Sequence, residues 1–271
     1  MSQAIPPLTA RVAGIGVLGP GLADWAQARA VLRGEQTYVA QPCVLPVPQI
    51  LPPAERRRAT AVIKLTLATG LEAIAAAGLD ASELATVFTS SGGDGRNCHE
   101  ICAALASGDR LISPTRFHNS VHNAASGYWG IATGAMAPSA VLCAFDASFA
   151  AGLLEAMVQV AATSAPVLLL AYDTDYPEPL RRTRPIPDSF AVALVLSPTA
   201  GGLARLAVDP AAAFTAEPAT RMDDAALETL RQAIPAARAL PLLRALALGT
   251  PGRLALGHLP DQQLALDLSP C

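Results

Sequence analysis

The chain has 271 residues, of which 52% are hydrophobic and 15% charged, and its formal net charge is −3. Disorder is excluded for most of the chain, because it requires low hydrophobicity and high charge. The slightly acidic balance and the aromatic content of 4% provide neither a basic field nor a stacking surface, so we expect no nucleic-acid partner and no anionic membrane partner. A chain of this length is able to bury a large core.

The five cysteines are odd in number and scattered, at positions 43, 98, 102, 143 and 271. This pattern favours free thiols in a reducing compartment over a disulfide framework. The N-terminal segment lacks the basic and apolar regions of a signal peptide. Polar residues interrupt the longest apolar stretch, 147–172, which we interpret as a buried helix and strand, not a membrane span. A cytoplasmic location is therefore expected.

Strands and helices are predicted to alternate along the first 200 residues. In the first part of the chain, we expect a strand ending in a glycine turn at 10–19, a helix at 22–35, an irregular proline-rich loop at 42–53, a helix at 54–80 and a strand running into a polar glycine turn at 85–93. Next we expect a helix at 95–109, a turn and then a helix over 116–136, a strand at 139–145, a helix at 147–163 and strands at 165–173 and 190–198. The helix at 54–80 is expected to break at Gly70 and to end at Gly78. This alternation predicts a layered α/β fold.

The composition changes after Gly201. There we expect a strand at 203–209, a linker rich in proline and alanine, a helix at 223–248 and a closing β-hairpin at 253–268. Two prolines, Pro235 and Pro241, are expected to interrupt that helix.

Three glycines after the first strand, Gly14, Gly16 and Gly19, have the spacing of a dinucleotide-binding turn. The context is poor for that function. The strand is short, Pro20 follows at once, and Glu35 lies at a helix end instead of closing a second strand. We favour a tight strand–helix turn and keep a nucleotide-binding α/β domain as an alternative.

Two pairs of possible metal ligands have helical spacing, Cys98 with Cys102 and His118 with His122. Zinc needs four converging ligands, or three with a water molecule. The helix face that carries the cysteines also carries aliphatic residues, so we expect it to be buried. We predict structural roles for all four residues, with no metal and no cofactor.

Acidic residues within 173–178 stand close to three arginines within 181–184. We interpret the segment as a solvated loop whose charges neutralise one another. A phosphate-binding site is the alternative.

Cys143 and Asp146 lie close together near the strand predicted at 139–145. A cysteine within a strand has neither the helix N-terminus nor the basic neighbour that lowers a thiol pKa. Asp146 falls where the strand turns into the helix at 147–163, at the expected N-cap position. A nucleophile elbow uses this kind of strand-to-helix corner, and here the corner holds a carboxylate.

Four segments, taken in order, resemble the N-terminal half of the β-ketoacyl synthases, the condensing enzymes of the thiolase fold. They are VAGIGVLGPGLADWAQARAVLRGE, ERRRATAVIKLTLATGLEAIAAAGLD, VFTSSGGDGRNCHEICAALASGDRLISP and RFHNSVHNAASGYWGIATGAMAPSAVLCAFDAS. The resemblance covers roughly residues 10–198. It implies a thiolase-like layered α/β fold, with residues 1–200 as a complete N-terminal half and 201–271 as a reduced C-terminal half packed on it.

Departures from the family pattern concern the catalytic residues. Counted from Pro138, the slot of the family's nucleophilic cysteine falls on Asp146, and a carboxylate there cannot form the acyl thioester that condensation requires. The family's two catalytic histidines belong to its C-terminal half, and in 199–271 the only histidine, His258, lacks the matching motifs. The resemblance therefore implies a chain without independent condensing activity.

A ketosynthase-like chain without its nucleophile resembles the chain-length-factor subunits, which pair with an active ketosynthase and shape its acyl tunnel. Short versions resemble proteins of bacterial aryl-polyene pathways. The resemblance implies an active ketosynthase as partner, an acyl carrier protein reached through that complex, and a possible homodimer when the chain is alone. Tunnel-wall candidates are Cys98, Ile101, Cys102, Leu105 and Phe149. Interface candidates are Phe117, Asn119, Asn123, Val141 and Cys143.

Two physical arguments also favour a partner. Residues 201–271 offer little cover for the apolar helix at 147–163, and a strand at 139–145 would be a hydrophobic sheet edge.

A different function stays open, that of a small acyl hydrolase or transferase using Asp146, His118 or His122 as acid or base.

Overall fold

The computed structural model, which describes residues 6–271, is built around a mixed β-sheet. Its strands are β1 (Leu8–Leu18), β2 (Ala85–Thr89), β3 (Ser139–Leu142), β4 (Val167–Asp173), β5 (Phe190–Ser197), β6 (Ala204–Val208), β7 (Phe214–Thr215), β8 (Gly252–Leu259) and β9 (Gln262–Ser269). Their order is β3-β2-β4-β5-β1-β6-β9-β7, and β8 also pairs with β9. Strand β2 runs parallel to β3 and β4, whereas β5, β1, β6 and β9 follow in antiparallel pairs.

Helices cover both faces of the sheet. They are α1 (Trp25–Leu32), α2 (Pro53–Arg58), α3 (Ala61–Ala77), α4 (Gly95–Ala106), α5 (Pro114–His118), α6 (Ala124–Thr133), α7 (Ser148–Thr163), α8 (Leu180–Thr183), α9 (Ala225–Ala233) and α10 (Leu240–Leu248). Short 3₁₀ helices occupy Phe145–Ala147, Pro210–Ala212 and Pro235–Ala239.

Alternate residues of the central strands enter two separate cores. In β5, Val192 and Leu194 pack into the first core with α1, α7, α9 and α10. Their neighbours Ala193 and Val195 point to the opposite face and pack into the second core with α3 and α6. A strand buried on both faces reads as a continuous apolar run, which is why β4 and β5 were recognisable from the sequence.

Two of the three spaced glycines let α3 lie directly on β1. A Cβ atom added at Gly14 would overlap the carbonyl oxygen of Ala73, and one added at Gly16 would overlap that of Thr69. The glycine spacing is thus explained by close helix–sheet packing.

Replacing Gly16 by alanine is expected to lower the free energy of unfolding by about 1–3 kcal/mol, because the new methyl group meets backbone and not a movable side chain. Urea unfolding followed by circular dichroism measures the change. Gly127→Ala is the matched control, since a Cβ at that exposed helical position meets nothing within 4 Å. Equal stability of G16A and the unmodified chain would contradict this account of the glycines.

Two predicted helix interruptions, at Gly70 and at Pro241, were wrong. The long helix breaks at Ala59 and Thr60 and then continues through Gly70, where the ring of Trp129 packs against the missing side chain. The C-terminal helix is interrupted by the 3₁₀ helix that begins at Pro235, whereas Pro241 lies in the first turn of α10. A proline is tolerated there because its missing N–H would be unpaired anyway.

Strand β3 is also shorter than predicted, ending at Leu142. It is the outermost strand on its side of the sheet.

Helix α7 is well covered, contrary to our expectation. It packs against β1, β2 and β4 and against the 3₁₀ helix at 235–239. Leu153 and Met157 are fully buried in the first core. The segment Phe145–Thr163 is apolar and long enough to cross a membrane, but half of it is buried inside the protein. This burial is typical of a core helix.

Residues 201–271 extend the same sheet. Strand β6 pairs with β1, and β9 pairs with β6. Helices α9 and α10 add their apolar faces to the first core. The C-terminal segment therefore supplies helices that bury one face of the sheet.

Candidate functional site

The carboxyl ends of the parallel strands β2, β3 and β4 meet at one edge of the sheet, and the turns that follow them come together there. The turn after β2 carries Ser91, the turn after β3 carries Cys143, and β4 ends at Asp173. The thiol of Cys143 donates a hydrogen bond to the carbonyl oxygen of Ser91 at 3.2 Å. Cys143 thus lies in the turn after β3, whereas the sequence analysis placed it within the strand.

Asp173 is fully buried and joins three segments. One carboxylate oxygen accepts from the backbone N–H and the hydroxyl of Ser91, at 2.9 and 2.6 Å, and the other accepts from the N–H of Ala236 at 2.9 Å. Burial raises its pKa to about 6, although these hydrogen bonds and the charge of Arg184 act in the opposite direction. The expectation of a solvated acidic cluster is wrong for this residue.

The remaining acids of that loop do pair on the surface. Asp175 contacts Arg96 at 2.7 Å, and Glu178 contacts Arg182 at 3.2 Å. These pairs leave Arg184 available for a different carboxylate.

Asp146 lies at the corner between β3 and α7, within the 3₁₀ helix Phe145–Ala147. Its two carboxylate oxygens accept from different arginines, one from Arg184 at 2.5 Å and one from Arg238 at 2.9 Å. The predicted N-cap role is wrong, because the N-cap of α7 is Ala147 and no side chain caps it. Asp146 instead links the β3 turn to the α8 loop and to the 3₁₀ helix before α10.

Phe145 completes the corner. Its backbone has a φ of 51°, a left-handed conformation that is uncommon for a residue with a large side chain. The guanidinium of Arg184 lies 3.7 Å from the centre of its ring, a cation–π contact that holds Arg184 against Asp146. The corner is therefore a fixed arrangement of one carboxylate and two guanidinium groups.

The two histidines of the alternative hypothesis are not brought to Asp146. Within residues 6–271, the hydrogen-bond partners of Asp146 are the two arginines. His118 packs edge-on against Tyr128 with 6.4 Å between ring centres, and His122 lies beside Gly93. Across the same residues, no group of three or more histidine, cysteine, aspartate or glutamate side chains could hold a metal ion.

A groove of about 520 Å³ adjoins this edge of the sheet. Four of the predicted tunnel-wall residues line it, namely Cys98, Ile101, Cys102 and Leu105. The helix face that carries them is open, not buried as we expected, and Leu105 is 49% exposed. The fifth candidate, Phe149, lies in the first core and is 1% exposed, so its place in the set was wrong.

The five interface candidates differ in position. Phe117 and Cys143 are exposed and line the groove. Asn119 also borders it, but the side chain is buried and donates to the carbonyl oxygen of Arg58 at 3.1 Å. Asn123 is exposed at the start of α6, and Val141 is half-buried on the edge strand. Asn119 therefore serves the packing of α5 on α2 and is not free to contact a partner.

Several exposed apolar residues lie on the groove or next to its lining. Phe117 (68% exposed) and Val121 line it, and Leu111 (78% exposed) and Phe145 lie within two residues of lining positions. Exposed apolar residues concentrated in one region of a protein mark a contact surface.

Comparison with known families agrees with this architecture. The model described as beta-ketoacyl synthase, N-terminal domain matches residues 23–247. The chain belongs to the beta-ketoacyl synthase family. The predicted thiolase-like layered α/β fold is confirmed.

Solved structures that share this beta-ketoacyl synthase fold include chains from ketosynthase assemblies. The ketosynthase ApeO in complex with its chain length factor ApeC, from Xenorhabdus doucetiae, matches with a TM-score of 0.72 and 23% identity over 96% of this chain and 99% of that chain. The ishigamide ketosynthase/chain length factor matches with a TM-score of 0.70 and 12% identity, over 97% and 99%.

A third match is the AntDE:AntF assembly, a type II acyl-carrier protein in complex with its ketosynthase. Its TM-score is 0.71 and its identity 13%, over 97% of this chain and 99% of that chain. No curated protein matches the sequence.

Two site residues of this beta-ketoacyl synthase family member escaped the sequence analysis. Arg238 lies 92 residues from Asp146, and no local pattern links them. Ala236, which donates to Asp173, does so through its backbone, so its side chain carries no signal. The order of family segments and the position of Asp146 were accessible from the sequence.

Proposed function

We propose that this protein is a non-catalytic, chain-length-factor-like subunit that pairs with an active β-ketoacyl-ACP synthase in fatty-acid or polyketide-type biosynthesis. The observation that carries the proposal is the corner at Asp146. Where a condensing enzyme needs a thiol, this chain holds a carboxylate whose two oxygens are engaged by Arg184 and Arg238. Such a group cannot form a thioester.

Condensation also requires a thiol and histidines at the reacting centre, and neither Cys143 nor His258 meets this requirement. Cys143, the thiol that precedes the corner, donates to a backbone carbonyl and has no histidine as hydrogen-bond partner within residues 6–271. His258 stacks on Phe214 with 5.0 Å between ring centres, and burial lowers its pKa. It lies in the C-terminal hairpin and not at the corner.

The open apolar surface supports a protein partner. It combines an unpaired sheet edge, β3, with the exposed apolar residues around the groove. A hydrophobic sheet edge is an aggregation hazard unless another chain covers it. The need for a partner thus rests on this surface, because α7 is already covered within the chain.

The extent of the structural matches points the same way. The matches from assemblies of a ketosynthase with a chain length factor are covered to 99% of their length. A β-ketoacyl synthase from Burkholderia phymatum is covered to 70%, with a TM-score of 0.56 and 15% identity. The likeness to the assembly chains thus covers more of their length than the likeness to this synthase, which supports the proposed subunit role.

The finer parts of the proposal follow from the sequence resemblance. They are a cytoplasmic heterodimer, an aryl-polyene type of pathway, and access to acyl carrier protein through the ketosynthase partner. In this arrangement the groove beside α4 forms part of the wall around the growing acyl chain.

Co-expression with the ketosynthase encoded nearest to this protein tests the proposal. We expect a stable one-to-one complex in size-exclusion chromatography with light scattering. Phe117→Asp should abolish the complex, because it places a charge on the exposed apolar rim of the groove. Leu203→Asp is the control, since Leu203 is similarly exposed, at 51%, but lies between β5 and β6. A protein that elutes alone beside the ketosynthase would refute the proposal.

A further inference from the structure

A second cavity, of about 240 Å³, lies between α10, strand β8 and the segment at 220–221. It shares no lining residue with the groove beside α4. Three arginines line it, Arg221, Arg244 and Arg253. The whole chain carries a net charge of −3, so three arginines along one small cavity are a local feature.

Residues 6–271 neutralise these arginines poorly. Arg244 contacts Asp223 at 2.8 Å, but the Asp223 side chain is 79% exposed, and such surface pairs contribute little. Arg221 and Arg253 form no ion pair with any of these residues. Asp267 stands opposite Arg253 in the β8–β9 pairing without reaching ion-pair distance. Arg221 and Arg253 are therefore the arginines of this cavity that have no ion-pair partner among residues 6–271.

The floor of the same cavity is apolar. Pro241, Leu254 and Leu268 line it, and Leu268 is 6% exposed. A guanidinium group binds carboxylate or phosphate through two parallel hydrogen bonds. The apolar floor would contact the apolar body of a ligand, and the arginines would bind a single anionic head group. The volume is below the about 300–1,000 Å³ of pockets for drug-sized ligands, so the ligand must be small.

Two hydrogen bonds attach the segment at 220–221 to β8. Thr220 donates its N–H to the carbonyl oxygen of Ala255 at 2.8 Å, and its hydroxyl accepts from the N–H of the same residue at 3.0 Å. This pair of bonds anchors the segment that carries Arg221 to β8, the strand that carries Arg253. The backbone that carries Arg221 is thereby fixed relative to β8 before a ligand binds.

We propose that this cavity binds a small amphipathic organic anion, a compound with a short apolar chain and a carboxylate or phosphate head. The head lies among Arg221, Arg244 and Arg253, and the chain covers the floor formed by Pro241, Leu254 and Leu268. The site is independent of the proposed pairing with a ketosynthase.

Isothermal titration of the full chain with octanoate, octyl phosphate, inorganic phosphate and octanol tests the site. We expect octanoate or octyl phosphate to bind at one site per chain. Inorganic phosphate and octanol, which each lack one half of the ligand, should bind at least about ten-fold more weakly, a loss of roughly 1.4 kcal/mol. Whichever octyl compound binds more tightly identifies the head group.

The variant R221Q/R253Q should weaken binding of the octyl compound at least about ten-fold, because it removes two charge-assisted contacts. The control is R57Q, since Arg57 is exposed on α2 and lies outside this cavity. Circular dichroism and thermal unfolding confirm that each variant is folded. The proposal is overturned if neither octyl compound binds at millimolar concentration, if octanol binds equally well, or if the double variant binds like the unmodified chain, which would place the ligand in the groove.

Discussion

Replacing Asp173 by alanine is expected to lower the free energy of unfolding by about 2–4 kcal/mol at neutral pH. The substitution leaves the N–H and hydroxyl of Ser91 and the N–H of Ala236 buried without an acceptor, and each orphaned group costs about 1–3 kcal/mol. Against this, removal of a buried charge is favourable. The pKa of Asp173 is about 6 in the folded chain and 3.8 in the unfolded chain. This difference corresponds to a cost of roughly 3 kcal/mol for keeping the buried carboxylate charged. The lost hydrogen bonds outweigh that relief.

The pH dependence of this effect has a defined sign. Since the pKa of Asp173 is raised on folding, the folded chain binds more protons than the unfolded chain between about pH 4 and 6. The contribution of Asp173 to stability is fully present below the unfolded pKa of 3.8 and is lost as the pH rises through about 6. The penalty of Asp173→Ala should therefore be larger at pH 4.5 than at pH 7.5.

Two controls separate this account from general acid effects. Asp173→Asn keeps an acceptor for Ser91 but cannot titrate, so its stability should lack the Asp173 contribution to the pH slope between about pH 4 and 6. Asp175→Ala, on the same loop, removes only a surface pair with Arg96 and should change stability by less than about 1 kcal/mol. Urea unfolding at each pH supplies the free energies. If the loss of unfolding free energy in D173A becomes smaller at low pH, the pKa of Asp173 is not raised on folding and this account is wrong.

The sheet was largely predictable because its signals are local. Strands β4 and β5 are buried on both faces, and a buried strand needs an unbroken apolar run. The closing hairpin of β8 and β9 likewise follows from two apolar runs around a short turn. One local signal was misjudged. Thr60 is a residue type that begins helices, yet we placed the helix break at Gly70.

The candidate site was predictable only in part, because its contacts are non-local. The sequence places Asp146 at the strand-to-helix corner, but Arg184 and Arg238 reach it from 38 and 92 residues away. Asp173 looked like one member of a solvated cluster, since nothing in its neighbours indicates that the backbone of Ala236 covers it. Phe149 was misassigned for a related reason. Its side chain points into the first core, and its distance along the chain from Asp146 does not reveal that direction.

The geometry of the corner leads to a further strong expectation, that the substitution D146C creates an unusually reactive thiol. The new side chain would lie beside Arg184 and Arg238 and at the start of α7. Neighbouring cations and a helix N-terminus both stabilise a thiolate. In proteins such surroundings lower a thiol pKa from about 8.5 to about 3.5–7.5, so alkylation by iodoacetamide at pH 7 should be at least about ten-fold faster than at Cys143.

Native cysteines provide the internal scale for this measurement. Burial and the charge of Asp188 raise the pKa of Cys43 to about 12, so Cys43 should stay unlabelled. Rapid selective labelling of Cys143 in the unmodified chain would overturn the non-catalytic interpretation. Peptide mass spectrometry after timed quenching assigns each rate. In the background of D146C, adding R184Q and R238Q should remove most of the acceleration and leave only the part that the start of α7 contributes.

Reactivity of this thiol and condensing activity should nevertheless remain separate. Condensation also requires histidines at the reacting centre, and the one histidine of the C-terminal segment stacks on Phe214 in the terminal hairpin. We therefore expect D146C to accept an alkyl group from iodoacetamide but to form no carbon–carbon bond from acyl and malonyl thioesters. Condensation by D146C alone would mean that the corner lacks only its nucleophile. A reactive but non-condensing variant would instead show that Arg184 and Arg238 activate a thiol at this corner, while the histidines that condensation also needs are missing from it.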